Sequence, residues 1–340
     1  MNFYGRDLLK IMDYSEGELR YLLDVAKQFK SFKKEGRPHD SLRGKNIAVF
    51  FDKAGTEVYC AQEVAAHDLG MNTTCLNQAN SSMGRVESAM DTARSLDRFY
   101  DGIGFCGFRH SDVEEFAKYS NLPILNISTD YCHPVQALAD FVTIEEHFGN
   151  LPGLTLAFVG DCKSGIASSL MAMSAKMGVN FICCGPDVMQ PDPKFVEACR
   201  MIAANNNCSV SFSNDIKAIS GKADIVYTDA WLSVGDPAEK WQERINALKP
   251  YQITTAIINM VKPSAIFMHA LPAFHDQNNN ASRDINAKFG LAEMEVTNEV
   301  FESKKSVVFD EVENLTHVIK AILYLTLYKK ETPVNTQKSA

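Results

Sequence analysis

The sequence predicts an α/β protein with two doubly wound parallel-sheet domains. Short apolar runs of strand length alternate with segments whose apolar residues recur at helical spacing. Such alternation is typical of parallel sheets covered by helices on both faces. The series occurs twice, on either side of a longer helical segment at 134–148, and 340 residues suffice for two such domains.

The first series begins with a helical surface segment at 8–35, where Ser15 and Glu18 form a capping-box pattern. The strands predicted after it are residues 47–51, 72–76, 102–105 and 123–127, and the helices are 56–69, 87–99, 111–120 and 134–148. Gly149 and Pro152 end the last of these helices. We therefore place the first domain at residues 1–148.

The second series is predicted to form a domain at residues 149–315. Its strands are residues 154–159, 180–184, 210–212, 225–228, 265–269 and 307–309, and its helices are 165–177, 193–205, 214–221, 237–248 and 311–328. We expect residues 316–340 to form a C-terminal helix that packs back on the first domain, followed by a polar tail.

Composition and charge exclude several classes of function. A net charge of −8 argues against a nucleic-acid partner, which needs clustered lysine and arginine. No apolar run reaches the length of a membrane helix, and the first residues lack a secretory pattern. Nine scattered cysteines without a CxxC pair indicate reduced thiols in a cytoplasmic protein.

The sequence lacks motifs for binding a metal or a cofactor. The eight histidines are spread out and have no convincing ligand spacing, so no metal site is predicted. No glycine-rich dinucleotide fingerprint follows a strand, so we expect no cofactor.

The turn after strand 47–51 presents a charge conflict. A strand, a turn with Gly55 and a helix start form the usual geometry for holding an anion on backbone N–H groups. The helix, however, begins with an acid, Glu57, and no lysine or arginine follows in its first turn. Either Glu57 has a functional role, or it is a solvated acid at the favourable end of the helix dipole.

His133 and Gln136 are three residues apart and share one face of the helix at 134–148. Together they could polarise a carbonyl oxygen, with both side chains as hydrogen-bond donors. The alternative is that His133 only caps the helix.

Two further clusters follow predicted strands of the second domain. Asp229 and Ser233, after strand 225–228, are well placed to bind an ammonium group, although Asp229 could instead cap a helix. His269 ends strand 265–269 before a proline-constrained turn. This pattern favours either a pocket wall or a buried core histidine.

In this order the clusters resemble the aspartate/ornithine carbamoyltransferase family over roughly residues 5–330. The motifs that carry the resemblance are Asp91-Thr-Ala-Arg94, Asp101-Gly-Ile103, His133-Pro-Val-Gln136-Ala-Leu-Ala-Asp140, Val226-Tyr-Thr-Asp229, Trp231-Leu-Ser233, His269-Ala-Leu-Pro272 and Glu295-Val-Thr297. The resemblance implies a carbamoyl-phosphate domain followed by an amino-acid domain. It also implies an ornithine-like small-molecule substrate, a place in arginine metabolism, and a homotrimer with active sites between subunits.

The resemblance also implies that arginines hold the phosphate of the donor, yet the matching positions differ here. The family pattern Ser-Thr-Arg-Thr-Arg is replaced here by Gly55, Thr56, Glu57, Val58 and Tyr59. Two further arginine positions of the family are occupied by Cys106 and Leu315. The position from which a neighbouring subunit contributes a basic residue is occupied by Val86, beside Arg85. We therefore expect an altered donor site.

On the amino-acid side some of the implied positions are retained and others are replaced. An asparagine pair of the family pattern is replaced, since Lys163, Ser164 and Gly165 follow Asp161 and Cys162 here. Asp229 and Ser233 match residues that hold ornithine, and His269 and Leu271 keep their place in the pocket turn. Val234 replaces a methionine of the family pattern and Ala270 replaces a cysteine. His133 and Gln136 match residues that contact the carbamoyl oxygen.

Three hypotheses follow. The first is a transferase or related enzyme that acts on ornithine or a similar amino acid with an altered donor, where Glu57 binds a cationic or amide group or serves as an acid or base. The second is a catalytically silent paralogue that binds an amino acid or assembles with an active carbamoyltransferase. The third is ordinary carbamoyl transfer with a rebuilt phosphate site, for which Arg109 is the obvious substitute cation.

Overall fold

The computed structural model describes residues 1–52, 55–232 and 238–329. Within these ranges the strands form two all-parallel sheets. The first contains β1 (Asn46–Phe51), β2 (Asn72–Leu76), β3 (Gly102–Phe108) and β4 (Ile124–Thr129) in the order β2-β1-β3-β4. The second contains β5 (Thr155–Val159), β6 (Asn180–Cys184), β7 (Val210–Ser213), β8 (Ile225–Thr228) and β9 (Ile266–His269) in the order β7-β6-β5-β8-β9. The predicted fold class is confirmed.

Helices connect the strands and cover the sheets. They are α1 (Glu16–Lys34), α2 (Thr56–Asp68), α3 (Ala89–Leu96), α4 (His110–Tyr119), α5 (Pro134–Phe148), α6 (Gly165–Met177), α7 (Pro193–Asn205), α8 (Ala238–Leu248), α9 (Thr255–Met260), α10 (Asn280–Phe289), α11 (Asn298–Phe301) and α12 (Val308–Leu327). The predicted capping box at Ser15 and Glu18 begins α1. In the described part of the chain, no helix combines the length and the apolar character needed to cross a bilayer.

Parts of the second series were predicted wrongly. The strand expected at 307–309 does not form, because Val308 already begins α12, whose first turn carries Asp310 and Glu311 at the end that favours negative charge. The helix expected at 214–221 is a single 3-10 turn at Ile216–Ile219. Helices α9 and α11 were missed because each is too short for apolar periodicity to identify. Helix α10 has ten residues but was missed because its sequence is mostly polar.

Helix α12 lies against α1, α2 and α5, and its first residues lie near β9. The larger apolar core includes residues of β1, α5, α6 and α12. That core therefore continues from the helices of the first sheet into the second, and α5 and α12 connect the two halves.

The expectation that all nine cysteines are reduced is wrong in this structure, because Cys162 and Cys183 form a disulfide. Cys162 lies in the turn after β5 and Cys183 lies in the neighbouring strand β6. Their Cα atoms are 6.1 Å apart, within the range that a disulfide bridges. Both residues are buried. Only the pairing of adjacent strands brings these cysteines together.

The start of α6 packs directly against the loop before α5. Gly165 opens α6, and a Cβ atom there would lie 3.1 Å from the Cys132 backbone nitrogen and 3.2 Å from the Thr129 carbonyl oxygen. The His133 amide donates to the Ser169 hydroxyl at 2.8 Å. The missing side chain at position 165 therefore allows this close approach of the two halves beside His133.

We predict that Gly165→Ala destabilises the fold by about 1–3 kcal/mol, because the new methyl group would press on backbone atoms that cannot rotate away. Urea unfolding measures the effect. Gly17→Ala in α1 is the matched control, since its Cβ would meet only the mobile tip of Met1. A Gly165→Ala protein as stable as wild type would contradict the close packing.

Candidate functional site

The candidate residues that the structure describes lie at the carboxyl ends of strands in both sheets. Glu57 follows β1, Cys106 lies near the end of β3 and His133 follows β4. Asp229 follows β8, and His269 is the last residue of β9. Ligands of doubly wound folds bind at these strand ends, so the arrangement defines a candidate cleft.

Glu57 occupies the start of α2 with its own side chain. Gly55 is the N-cap, and a Cβ atom there would lie 2.0 Å from one carboxylate oxygen of Glu57. The carboxylate therefore folds back over the beginning of the helix and accepts a hydrogen bond from its own backbone amide. Burial raises the pKa of Glu57, and this hydrogen bond partly offsets the rise. Thr56, between the two, is exposed.

Cys106 and Tyr59 make neutral contacts. The Cys106 thiol is buried 3.3 Å from the Ser128 hydroxyl, and burial raises its pKa to about 11. The Tyr59 ring packs on Phe51 with centroids 4.9 Å apart. A hydrogen bond to Cys75 raises the pKa of Tyr59 to about 12. Neither residue supplies a cation at the start of α2.

Leu315 does not line the cleft. Its side chain is 2% exposed and belongs to the larger apolar core. The neighbouring Asn314 donates to the Thr143 hydroxyl at 2.9 Å, so this turn of α12 is anchored on α5.

His133 is neutral near pH 7, because burial lowers the pKa of its partly exposed ring to about 4. The ring hydrogen-bonds the Thr129 carbonyl oxygen, which can only accept. A neutral imidazole has one N–H, so the other ring nitrogen can only accept a hydrogen bond. The ring can thus accept a ligand proton, whereas the sequence suggested a donor.

Gln136 projects from the first turn of α5, where its side-chain amide donates to a carboxylate oxygen of Asp140 at 2.8 Å. Asp140 is fully buried. The amide keeps a second N–H and its oxygen for a ligand. The sequence analysis quoted Asp140 within a motif but gave it no role, although its spacing of four residues from Gln136 on a helix was a usable signal.

The amino-acid side of the site carries two acids. Asp229 is partly exposed, and burial raises its pKa to about 6 while His269 lowers it. The His269 ring is buried with its Nε2 atom 3.3 Å from a carboxylate oxygen of the equally buried Glu295. Glu295, a residue of the Glu295-Val-Thr297 motif, therefore lies beside His269, without a hydrogen bond of normal geometry to its ring.

The turn after β9 continues the pocket wall. Ala270 is buried, and Leu271, which precedes a cis peptide bond to Pro272, is partly buried. Ser233 and Val234, the two other predicted substrate-binding residues, lie outside the residues that the structure describes.

A separate cavity of about 590 Å³ lies beside the ends of β1 and β3. Two cations line it, Arg85 and Arg109. Arg85 donates to the Ser81 carbonyl oxygen, and Arg109 lies 3.0 Å from the Asp112 carboxylate. Both cations therefore already have partners. Among the described residues, no cluster of histidine, cysteine and acidic side chains could hold a metal.

Family models match both halves of the chain. Residues 6–146 match the carbamoyl-P binding domain of aspartate/ornithine carbamoyltransferase, and residues 152–326 match its Asp/Orn binding domain. Among curated relatives, a catabolic ornithine carbamoyltransferase of Treponema denticola is 48% identical over 96% of each chain. A second, from Mycoplasma capricolum, is 46% identical over 91% of this chain and 99% of its own.

Solved structures agree with these matches. The ornithine carbamoyltransferase of Pyrococcus furiosus superposes with a TM-score of 0.88 at 36% identity, over 97% of this chain and all of the other. That of Gloeobacter violaceus gives 0.80 at 33% identity, over 96% of this chain and all of the other.

We predict that Gly55→Ala destabilises the fold by about 0.5–1.5 kcal/mol in wild type, the net value of one hydrogen bond, and by almost nothing in a Glu57→Ala background. The reason is that the new methyl group makes the Glu57 carboxylate turn away from its backbone amide, whereas the φ of −69° at position 55 suits alanine. A double-mutant cycle of chemical unfolding measures the coupling. Equal effects in both backgrounds would show that Glu57 does not fold back.

Proposed function

The chain belongs to the aspartate/ornithine carbamoyltransferase family, and we propose that it binds ornithine or a similar amino acid without ordinary use of carbamoyl phosphate. One observation carries this proposal. The Glu57 carboxylate lies over the first turn of α2, where the family resemblance places an arginine-bound phosphate. The backbone amides that would receive the anion face a negative charge instead.

The expected loss of binding free energy argues against a phosphate dianion as the ligand at this end of the site. Each charge-assisted contact between arginine and phosphate contributes roughly 1.5–3 kcal/mol. Four absent arginines would therefore remove on the order of 6–10 kcal/mol, or about four to seven powers of ten in rate. Tyr59, Cys106 and Leu315 supply no charge in exchange, and Glu57 adds repulsion.

The amino-acid side supports an ammonium ligand. With a pKa of about 6, Asp229 is mostly ionised at pH 7 and is partly exposed. Its charge therefore complements the ammonium group of an amino acid.

The polar side chains of Gln136 and His133, between the Glu57 end and the Asp229 end of the site, suit transfer of a carbonyl group to an amine. The second N–H of Gln136 can donate to the carbonyl oxygen, and the unprotonated nitrogen of His133 can accept the proton of the attacking amine. As the new C–N bond forms, the bond to the leaving group breaks and the leaving group takes the electron pair. The leaving group then needs a proton source, and Glu57 is the titratable group at this end. Because Glu57 is an acid and not an arginine, a leaving group without a phosphate charge fits this end.

A second candidate is ordinary carbamoyl transfer with the phosphate moved into the cavity that Arg85 and Arg109 line. The cavity volume of about 590 Å³ favours this second candidate. The fact that both guanidinium groups already have partners within the protein argues against it. The remaining alternative, a catalytically silent amino-acid binder or assembly partner, is an outcome of the tests below.

We predict that Asp229→Asn weakens ornithine binding by roughly 10-fold or more, the cost of one charge-assisted hydrogen bond. Wild-type affinity should fall below about pH 6 as Asp229 gains a proton. Titration calorimetry across pH measures both effects. Asp112→Asn, on the surface beside Arg109, is the control and should leave affinity unchanged. An unaffected Asp229→Asn variant would remove Asp229 from the site.

We predict that citrulline formation from carbamoyl phosphate and ornithine is at least about 10⁴-fold slower than in the Treponema denticola relative, assayed in parallel. The missing arginines and the Glu57 charge are the reason. A comparable rate would refute the altered donor site. If Arg85→Ala with Arg109→Ala then abolished that rate, the rebuilt phosphate site would be established. Ornithine binding without turnover of any neutral carbamoyl donor would favour the silent paralogue.

A further inference from the structure

A buried polar chain lies behind Gln136 and joins the two halves of the molecule. Asp140 on α5 accepts a hydrogen bond from the Gln136 amide at 2.8 Å. Glu311, in the first turn of α12, accepts one from the backbone amide of His269 at 3.1 Å. The two acids lie within hydrogen-bonding reach of each other, and both are at most 1% exposed.

The second oxygen of each acid requires a proton between them. Asp140 Oδ2 and Glu311 Oε2 are buried, and no described residue donates a hydrogen bond of normal geometry to either. Two ionised carboxylates side by side without solvent would repel strongly, whereas one proton held between them satisfies both oxygens. Burial raises the pKa of Asp140 to about 7 and that of Glu311 well above its usual range. Glu311 is therefore the acid that keeps the proton, and Asp140 accepts its hydrogen bond.

The surroundings of the pair contain no described cation that could replace the proton. Tyr227 on β8 lies beside Asp140 with its buried hydroxyl. The charged groups that act on the pair are Asp229 after β8 and Asp310 on α12, and both are acids. The His269 backbone amide and the Gln136 amide are the neutral donors on the other sides.

We propose that Asp140 is a positioning residue, which shares a proton with Glu311 and thereby fixes the amide of Gln136 relative to the end of β9. One N–H of Gln136 is committed to Asp140, so the amide presents its other N–H and its oxygen in a fixed direction. This donor and acceptor complement a carbamoyl or ureido group. The ligand part of the inference rests on the proposed function, because it requires that Gln136 meets the carbonyl group of a ligand.

Loss of the shared proton is expected to lower the stability of the fold as pH rises. Since both acids have a folded-state pKa above the unfolded value, the folded protein holds the proton that the unfolded chain releases. Their contribution to stability therefore falls as pH rises above about 4, through the pKa of about 7 of Asp140 and on towards the higher pKa of Glu311. Glu311→Gln replaces the shared proton with a permanent N–H donor and should flatten this dependence.

The first experiment needs no ligand. Unfolding free energy is measured between pH 5 and 8 for wild type, Glu311→Gln and the control Glu313→Gln, a more exposed acid on the same helix that pairs with Lys30. We expect a fall with rising pH in wild type and in Glu313→Gln, and a clearly flatter profile in Glu311→Gln. Identical profiles in all three proteins would overturn the shared proton.

The second experiment separates positioning from a merely structural role. Citrulline carries a ureido carbonyl group and ornithine does not, so the ratio of their affinities reports on Gln136 and cancels the titration of Asp229. We expect Asp140→Ala to lower the citrulline-to-ornithine ratio about 10-fold, the cost of one misplaced hydrogen bond. Glu311→Ala should do the same, whereas Glu311→Gln should keep the ratio of wild type.

The outcomes distinguish the two proposals. If Asp140→Ala leaves the ratio unchanged, the positioning role is refuted while the proposed function stands. If Asp140→Ala does not fold, Glu311→Ala and its rescue by Glu311→Gln decide the question. If wild type binds neither amino acid, the proposed function fails, and the side-chain amide resonances of Gln136, assigned with Gln136→Ala, replace the ratio. Those resonances should shift with pH in wild type and stay fixed in Glu311→Gln, and any other pattern overturns the inference.

Discussion

The first backbone amides of a helix need acceptors, and in α2 the carboxylate of Glu57 accepts from its own amide. This contact determines the electrostatics of the first half of the site. A side chain at position 55 would push the flexible carboxylate aside, and the carboxylate leaves the helix dipole partly neutralised before a ligand arrives. The neighbouring Cys106 thiol lies in the field of the same carboxylate. An incoming phosphate would have to displace Glu57 and then remain beside it.

The acids of the cleft share one electrostatic property. Burial raises the pKa of Glu57, Asp140, Asp229 and Glu311 alike. A site in which burial disfavours the charge of several carboxyl groups can lower its free energy by keeping protons or by binding cations. Asp140 and Glu311 keep a proton, because no ligand reaches them. Glu57 and Asp229 are partly exposed and can bind a cation instead. Cationic or neutral ligands therefore suit both ends of the cleft.

The sequence predicted those features that depend on neighbours along the chain. Apolar periodicity located the strands and the longer helices, and the local pattern around Glu57 already showed the charge conflict. Features that depend on the meeting of distant elements were missed. Cys162 and Cys183 approach only because β5 and β6 pair, and Glu311 reaches Asp140 only because α12 lies against α5. No sequence spacing reveals the hydrogen bond of the His133 ring to the Thr129 carbonyl oxygen, which leaves the other ring nitrogen as an acceptor.

Family membership and donor chemistry depend on different residues. Identity of 48% over nearly the whole chain fixes the two sheets and the strand ends, but only a few side chains meet a donor. The Glu57 carboxylate lies beside Gly55 and accepts a hydrogen bond at the start of α2. This local arrangement is what supports the proposal of an altered donor site, whereas family membership depends on the rest of the chain.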